Sequence, residues 1–515
     1  MPDQQSPTDS AASLPAVFLD RDGTLIEDVG TLHSPEQIRL FPDTIKALRR
    51  LQENYVLIVI TNQCCIANGE ATADQVSHVH AHLDEHLRRN GITIRDWYVC
   101  PHRREDNCAC IKPKPELVLQ AQRKHGLDLT RSFVVGDHPH DALTANDLGV
   151  FGLYLLTGHG GRHRHELAAD QLVFHRISDA AEWILSHPGN LADLNRQVGR
   201  AAETIRRGGV AAFPTETVYG LGADAFQPLA VEQIFRIKGR PHNNPLIVHI
   251  SAATQLELLA AKVPETARRL AEKFWPGPLT IVLPKRAEVP GIVTAGHDTV
   301  AVRMPANPIA LDLIRQCGSP LAAPSANRFT DVSPTTARHV QDQLGDRCPI
   351  VINGGACRVG LESTVLSLTG PTPVMLRPGG VPREKIEDLL GPVETRSSSP
   401  AQAQAPESPG MMPRHYAPAT RLVAVQEIPW SCSRRQDIGL LLFKPSPRTF
   451  AGAVEVLSQS GDADEAAANF FAALRRLDAL GLREIIAEFA PSQGLGLAIN
   501  NRLVKAATTN PRNHE

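Results

Sequence analysis

The chain has 515 residues, and its 53 Lys and Arg stand against 55 Asp and Glu. A net charge of −2 gives no footing for a protein that coats nucleic acid, so no stable nucleic-acid partner is expected. No apolar run approaches the roughly 18 residues of a membrane span, and the polar start MPDQQSPTDSAAS lacks the apolar centre of a signal peptide, which points to a soluble cytoplasmic protein.

The length suits three or four domains, each with its own core. Residues 1–13 read as a disordered tail. An apolar strand, Ala16 to Leu19, then ends in Asp20-Arg21-Asp22-Gly23-Thr24. Two carboxylates two residues apart share one side of an extended chain, and the glycine permits a tight turn against a ligand. One carboxylate of such a pair can attack phosphorus while its neighbour shuttles a proton. A second strand, Val56 to Ile60, ends in Thr61-Asn62-Gln63. Lys112 follows, and a third strand, Phe133 to Val135, ends in Gly136-Asp137 with Asp141 beyond it. Strands alternating with helix-length segments predict a doubly wound parallel sheet, with ligands at the carboxyl ends of its strands.

Of the 9 cysteines, Cys100, Cys108 and Cys110 cluster with His102. That set fits a closed tetrahedral zinc site in a reducing compartment, structural rather than catalytic. The stretch from His159 through His163 to His165 reads as a solvated loop, because no strand or helix orients its rings. A last strand and helix over residues 171–185 close the domain at 14–187, with turn chemistry at His187-Pro188-Gly189-Asn190.

An amphipathic helix from Leu191 opens the next domain, 191–394. A β-like run, Val210 to Phe213, stops at Pro214 and enters the hydroxyl- and glycine-rich turn TETVYGLGADAF. A helix with Ile234, Phe235 and Ile237 on one face follows. It delivers Lys238 and Arg240 before Pro241 blocks continuation, and Leu246 to Ile250 reads as a buried strand. Two cations at the mouth of a glycine-lined concavity suit a polyphosphate, lysine as a point charge and arginine as a planar fork. Residues 395–413, rich in Ser, Pro, Ala and Gln, read as a linker. Residues 414–510 alternate strand-like and helix-like runs, which predicts a small α/β domain.

Two families emerge from these motifs. The DxDG turn, Thr61, Lys112 and the Gly136-Asp137 pair resemble the haloacid-dehalogenase (HAD) phosphatases. The cysteine cluster is similar to that of the zinc-bearing branch that includes histidinol-phosphate and heptose-bisphosphate phosphatases. The resemblance implies Asp20 as nucleophile, Asp22 as acid/base, Thr61 and Lys112 on the phosphoryl oxygens, and Mg2+ held by Asp20, Asp22 and Asp137. The chain departs from that branch at Cys64, Cys65, Asn68 and His138, which leaves the phosphatase substrate open. The ordered blocks KGRP, VAVRMP, AAPSAN, SPTT, ESTV, MLRPGG, SPGMMPRHYAP and GLGLAINNRL resemble the Sua5/YrdC family of L-threonylcarbamoyladenylate synthases, in its long form with a second domain.

The implied fold is α/β and multidomain: a HAD Rossmann-like parallel sheet, a YrdC-type twisted α/β domain and a small Rossmann-like C-terminal domain. The implied reaction joins L-threonine, bicarbonate and ATP into threonylcarbamoyl-adenylate and pyrophosphate, for modification of tRNA A37. The product would pass to the tRNA-modifying threonylcarbamoyl transferase complex. By motif position Lys238 and Arg240 are the catalytic cations. With Asn244, Thr299, Ser325, Ser333, Arg377 and Tyr416 they form the ATP site, while Thr217, His249, Arg303, Ala323 and Ser363 hold threonine, Arg303 as a carboxylate clamp. Thr330 stands where the family has a glycine, and Leu366-Ser367 where it has Val-Asp. The segment Arg414-His415-Tyr416 reads as a lid over the nucleotide, anchored by the C-terminal domain. Two other readings compete with the synthase: a protein whose main activity is the phosphatase, and an RNA-binding module. Near-neutral charge disfavours the module, and intact Lys238, Arg240, Ser325 and Asn327 favour the synthase.

Overall fold

The computed structural model describes residues 14–148, 150–167, 171–187, 191–395 and 415–507. The expected tail, nearly all of the linker, Arg414 and the turn at Pro188-Gly189-Asn190 lie outside the described residues. The chain divides into two compact units, Met1–Asp193 and Leu194–Glu515.

The first unit is built on six strands: β1 (Ala16–Leu19), β2 (Val56–Asn62), β3 (Asp96–Cys100), β4 (Phe133–Gly136), β5 (Phe151–Leu155) and β6 (Leu172–Phe174). They form one sheet in the order β3-β2-β1-β4-β5-β6 with every pair parallel. β1 and β4 are buried along their whole length. That is why they read as unbroken apolar runs rather than as alternation. The chain winds outward to β3 on one side and to β6 on the other, so the direction reverses between β1 and β4. A crevice opens at that switch point, beyond the strand ends. Asp20 follows β1, Asp137 follows β4, and Thr61 lies at the end of β2.

The second unit holds a nine-stranded mixed sheet: β7 (Ala211–Phe213), β8 (Gly220–Asp224), β9 (Ile247–His249), β10 (Leu279–Pro284), β11 (Thr299–Arg303), β12 (Leu321–Ala322), β13 (Thr364–Ser367), β14 (Val374–Arg377) and β15 (Glu394–Thr395). Its order is β15-β14-β13-β10-β11-β9-β12-β8-β7. A parallel sheet ordered β16-β19-β17-β18 follows, made of β16 (Arg421–Val425), β17 (Ile438–Leu442), β18 (Ala453–Val456) and β19 (Glu484–Glu488). The helices Ala463–Asp478 and Gly496–Ala506 belong to this smaller sheet, and Asp462 caps the first by accepting from Glu465 N at 2.7 Å.

The two sheets of this unit share a core. Phe470, Phe471 and Leu503 of the C-terminal helices pack in one buried cluster with Val218, Val332 and Leu361 of the larger sheet's loops. At Gly360 a side chain would meet Ala467 O at 2.5 Å, so only glycine lets the backbones approach this closely. The C-terminal domain thus packs directly on the loops of the larger sheet.

Two local features explain sequence signals. The helix Pro228–Lys238 ends at Gly239, whose φ of 64° is left-handed; the chain turns there, leaving Lys238 as the last helical residue and Arg240 just beyond it. Thr330 has φ 72°, and its carbonyl accepts from Ala417 N at 2.9 Å. A β-branched residue is strained in that conformation, which glycine adopts freely. Thr330→Gly is therefore expected to raise the unfolding free energy of the second unit by roughly 1 kcal/mol in a urea titration. A loss of stability would show that the strain is absent.

Candidate active sites

In the first unit, Lys112 ties the crevice together. Its Nζ donates to Asp20 Oδ1 at 2.5 Å, to Asp141 Oδ1 at 2.6 Å and to Ile60 O at 3.2 Å. Burial alone would pull this lysine down, but Asp141 and Asp20 raise it above the ordinary lysine value and keep it charged. Burial pushes Asp20 up to about 7. Asp137 is 2% exposed, accepts from His159 N at 2.7 Å and is raised by burial and by the neighbouring carboxylates. Glycine is required on both sides of it: a side chain at Gly23 or at Gly158 would meet Asp137 Oδ2 at 2.0 and 2.3 Å. Thr61 is buried, and its hydroxyl accepts from Gln63 Nε2 at 2.9 Å.

Two of the three aspartates expected at magnesium, Asp20 and Asp137, come together with a further one, Asp141. Asp20, Asp137 and Asp141 bring carboxylate oxygens within 4.8 Å of one another, and Asp22 is not among them. Asp22 is turned toward Arg21, which donates to its two oxygens at 3.0 and 2.6 Å, and toward Gln63 Nε2 at 2.8 Å. Arg21 is fully buried and needs this counter-charge. Asp141 takes the third place, four residues beyond Asp137 on the helix that follows β4. Three oxygen donors at this spacing suit a hard cation that also takes phosphate oxygens.

Cys100, His102, Cys108 and Cys110 form the other ligand group. Cys100 ends β3, and the donor atoms stand 3.3–3.8 Å apart along five of the tetrahedron's edges. A tetrahedral Zn–S distance of about 2.3 Å implies an edge of about 3.8 Å, so the set fits zinc without rearrangement. The histidine stretch is less isolated than expected: His138 lies 4.7 Å from His163 and 4.3 Å from His140, ring centre to ring centre.

In the second unit, the turn after β7, the ends of β9 and β11, and the Ala323–Ser325 and Glu362–Ser363 segments surround a partly open cavity. Of the residues assigned to threonine, Thr217, His249, Arg303, Ala323 and Ser363 all line it. Of those assigned to ATP, Arg240, Ser325, Arg377 and Tyr416 line it. The other four do not, each for a stated reason. Lys238 lies behind the wall, its Nζ donating to Ser325 O and Asn327 O, both at 2.5 Å. Ser333 donates to Glu362 Oε1 at 2.5 Å from the layer beneath. Asn244 is fully buried; its carbonyl accepts from Arg240 Nε at 3.1 Å, while both its amide atoms lack a hydrogen-bond partner among the described residues. Thr299 begins β11, four residues and roughly 13 Å of strand before Arg303. Arg303 pairs with His249 across β9, so Thr299 lies toward Asn244 and Pro245, the end that Arg240 reaches.

The charges in the wall fall into two kinds. Lys238, Arg240 and Arg377 are satisfied by neutral oxygens: Arg240 Nη2 donates to Pro245 O at 2.8 Å, and Arg377 to Ser363 O at 3.1 and 2.9 Å. Burial lowers all three, Lys238 well below its ordinary range and Arg240 to about 9, which leaves Arg240 charged at neutral pH. The two carboxylates are paired. Arg303 Nη2 lies 2.6 Å from Glu216 Oε1, and Arg502 Nε lies 3.0 Å from Glu362 Oε2. Arg303, expected as a free clamp, thus already carries a counter-charge, as a cation 3% exposed must. His249 is neutral: burial and then Arg303 lower it to about 3, and its Nδ1 lacks a partner.

Glu362, Thr215 and Arg502 were not assigned from sequence, whereas His415, expected in the lid segment, lines the cavity. Thr215 Oγ1 holds the turn by bonding Thr217 Oγ1 at 2.8 Å and Val218 O at 2.7 Å. Glu362 opens the ESTV block, where its neighbour Ser363 drew the assignment. Arg502 lies far along the chain in the GLGLAINNRL block. His415 and Tyr416 re-enter after the undescribed linker, with Tyr416 fully buried against the cavity.

A threonylcarbamoyl-AMP synthase of Pyrococcus abyssi is 46% identical over 315 residues, spanning 60% of this chain and 93% of that protein. The chain belongs to the threonylcarbamoyl-AMP synthase family. A Bacillus subtilis synthase is 42% identical and matched over 97% of its length. Residues 203–379 match the family described as telomere recombination, and residues 381–508 the threonylcarbamoyl-AMP synthase C-terminal domain. The crystal structure of P. abyssi Sua5 complexed with L-threonine superposes with a TM-score of 0.57 at 44% identity, covering 60% of this chain and 94% of that one. Residues 109–180 match the HAD-hydrolase-like family, so a phosphatase-type domain precedes the synthase. No helix among the described residues is long and apolar enough to cross a membrane.

The lowered Lys238 gives a signed pH effect. Unfolded, it holds its proton up to about pH 10.4. Folded, it releases it earlier, so between those values the unfolded chain binds more protons and stability rises with pH. The ligand-free protein is expected to gain stability between neutral pH and about pH 10, and Lys238→Met to flatten that rise.

Proposed function

We propose that the second unit condenses L-threonine, bicarbonate and ATP into threonylcarbamoyl-adenylate and pyrophosphate. The observation that carries this reading is the edge of the pocket, where Lys238 and Arg240 are buried against neutral backbone oxygens with no carboxylate in an ion pair with either among the described residues. Such a site is held open for a polyanion. Lys238, Arg240, Asn244, Thr299, Ser325, Ser333, Arg377 and Tyr416 would hold the nucleotide, with Tyr416 covering it. Thr217, His249, Arg303, Ala323 and Ser363 would hold threonine. The Glu216–Arg303 pair sets a carboxylate beside a guanidinium, the complement of an amino acid's two charged ends. The threonine amine adds to bicarbonate carbon with loss of water. A carbamate oxygen then attacks the α-phosphorus, and pyrophosphate leaves with the bridging electron pair. Negative charge grows on phosphate oxygens as it leaves, where preorganised cations act most strongly. The product suits transfer to a tRNA-modifying threonylcarbamoyl transferase. The absence of a disulfide among the described cysteines is consistent with a reducing cytoplasm.

The first unit is read as a phosphatase for a small phosphate monoester. Asp20 would attack phosphorus, Thr61 and Lys112 would hold the phosphoryl oxygens, and Asp22 would pass a proton to the leaving oxygen. Asp20, Asp137 and Asp141 fit Mg2+, which would offset charge on the phosphoryl group. The three cysteines and His102 fit a structural zinc that fixes the loop leading into Lys112.

Arg240→Ala is expected to cut threonine- and bicarbonate-dependent pyrophosphate release by about 100-fold or more, the scale of losing one charge aimed at the transition state. Undiminished release would sink the assignment. Asp20→Asn is expected to eliminate phosphatase activity while adenylate formation continues; loss of both would point to one composite site. Metal analysis should find about one zinc per chain, absent when Cys108 and Cys110 are both serine. A folded wild type free of zinc would refute that site.

A further inference from the structure

Glu362 is the one wall carboxylate whose counter-charge comes from the C-terminal domain. Its Oε1 accepts from Ser333 Oγ at 2.5 Å and its Oε2 from Arg502 Nε at 3.0 Å. Arg502 is fully buried in the helix Gly496–Ala506. It also donates from Nη1 to Pro378 O at 2.5 Å, and its guanidinium carbon lies 5.2 Å from the centre of the Tyr416 ring. Nη2 has no hydrogen-bond partner among the described residues. A fully buried guanidinium with an unsatisfied donor is costly, so its position calls for a reason beyond packing.

The reason lies in what it neutralises. Glu362 and Tyr416 both line the cavity. The cations on the same wall are arranged for negative charge, and an unpaired carboxylate among them would repel it. Resting on the synthase reading, we infer that Arg502 is a positioning residue for nucleotide binding. It cancels the charge of Glu362 and backs the ring of Tyr416, so that the wall facing the polyphosphate carries no free negative group. The synthase site is then completed by a residue from the second sheet, more than 120 positions along the chain from the carboxylate it serves.

The charge argument separates this role from simple packing. Arg502→Met keeps the apolar stem but leaves Glu362 unpaired. The expected effect in the full-length protein is a rise in KM for ATP of about tenfold or more, with KM for threonine changing much less. Adding Glu362→Gln removes the stranded charge and is expected to restore most of the ATP affinity, although it deletes a second wall residue. Arg502→Lys, which keeps the charge, should fall between wild type and Arg502→Met. An unchanged ATP KM in Arg502→Met, or a double variant no better than the single one, overturns the inference. If Arg502→Met does not fold, the double variant decides, because it buries no unpaired charge. Folding with near-wild-type ATP KM supports the role, and failure to fold or a poor KM contradicts it. A wild type that releases no pyrophosphate from ATP with threonine and bicarbonate overturns the synthase reading as well; an active wild type indifferent to Arg502 overturns this inference alone.

Discussion

Burying a cation without a counter-charge is the constraint on which the synthase site depends. Lys238 and Arg240 are each 5% exposed or less, and among the described residues each is met by backbone carbonyls rather than by a carboxylate. Neutral oxygens satisfy donors but do not cancel charge, so the empty site is electrostatically incomplete. The strain shows in lowered proton affinities and in Asn244, whose buried amide has no partner. A ligand rich in phosphate oxygens relieves these costs together. Glu362 on the wall and Glu216 next to it are prevented from doing so, because Arg502 and Arg303 hold them.

The fold supplies that constraint through close backbone approach. Gly239 ends a helix so that Lys238 and Arg240 leave it in different directions, one to the Ser325 loop and one to Asn244. The β9–β11 pairing sets His249 beside Arg303 at one end of the cavity and carries Thr299 toward the other. The first unit solves a similar problem in the opposite way: one buried lysine, Lys112, is surrounded by carboxylates and stays charged.

Much of this was legible in the sequence, because the signals were local. Helix end, glycine and cation follow one another in KGRP, and apolar runs ending in Asp20 and Asp137 marked the carboxyl ends of parallel strands. The cysteine cluster was readable from spacing alone. What escaped depended on contacts between distant segments. Asp22 shares the DxDG turn with Asp20, yet buried Arg21 claims its side chain, and nothing in the spacing announces that. Asp141 joins the carboxylate group because its helix turns it back toward Asp20. Glu362 was passed over for Ser363 beside it, and Arg502 could not be placed without knowing that two sheets share a core.

The most direct test of the central claim is isotope exchange between labelled pyrophosphate and ATP, catalysed by the full-length protein. If the buried cations serve adenylate formation, label should enter ATP only when threonine and bicarbonate are both present, because only then is there an adenylate for pyrophosphate to cleave. Exchange without threonine, or none with both substrates supplied, would contradict the account.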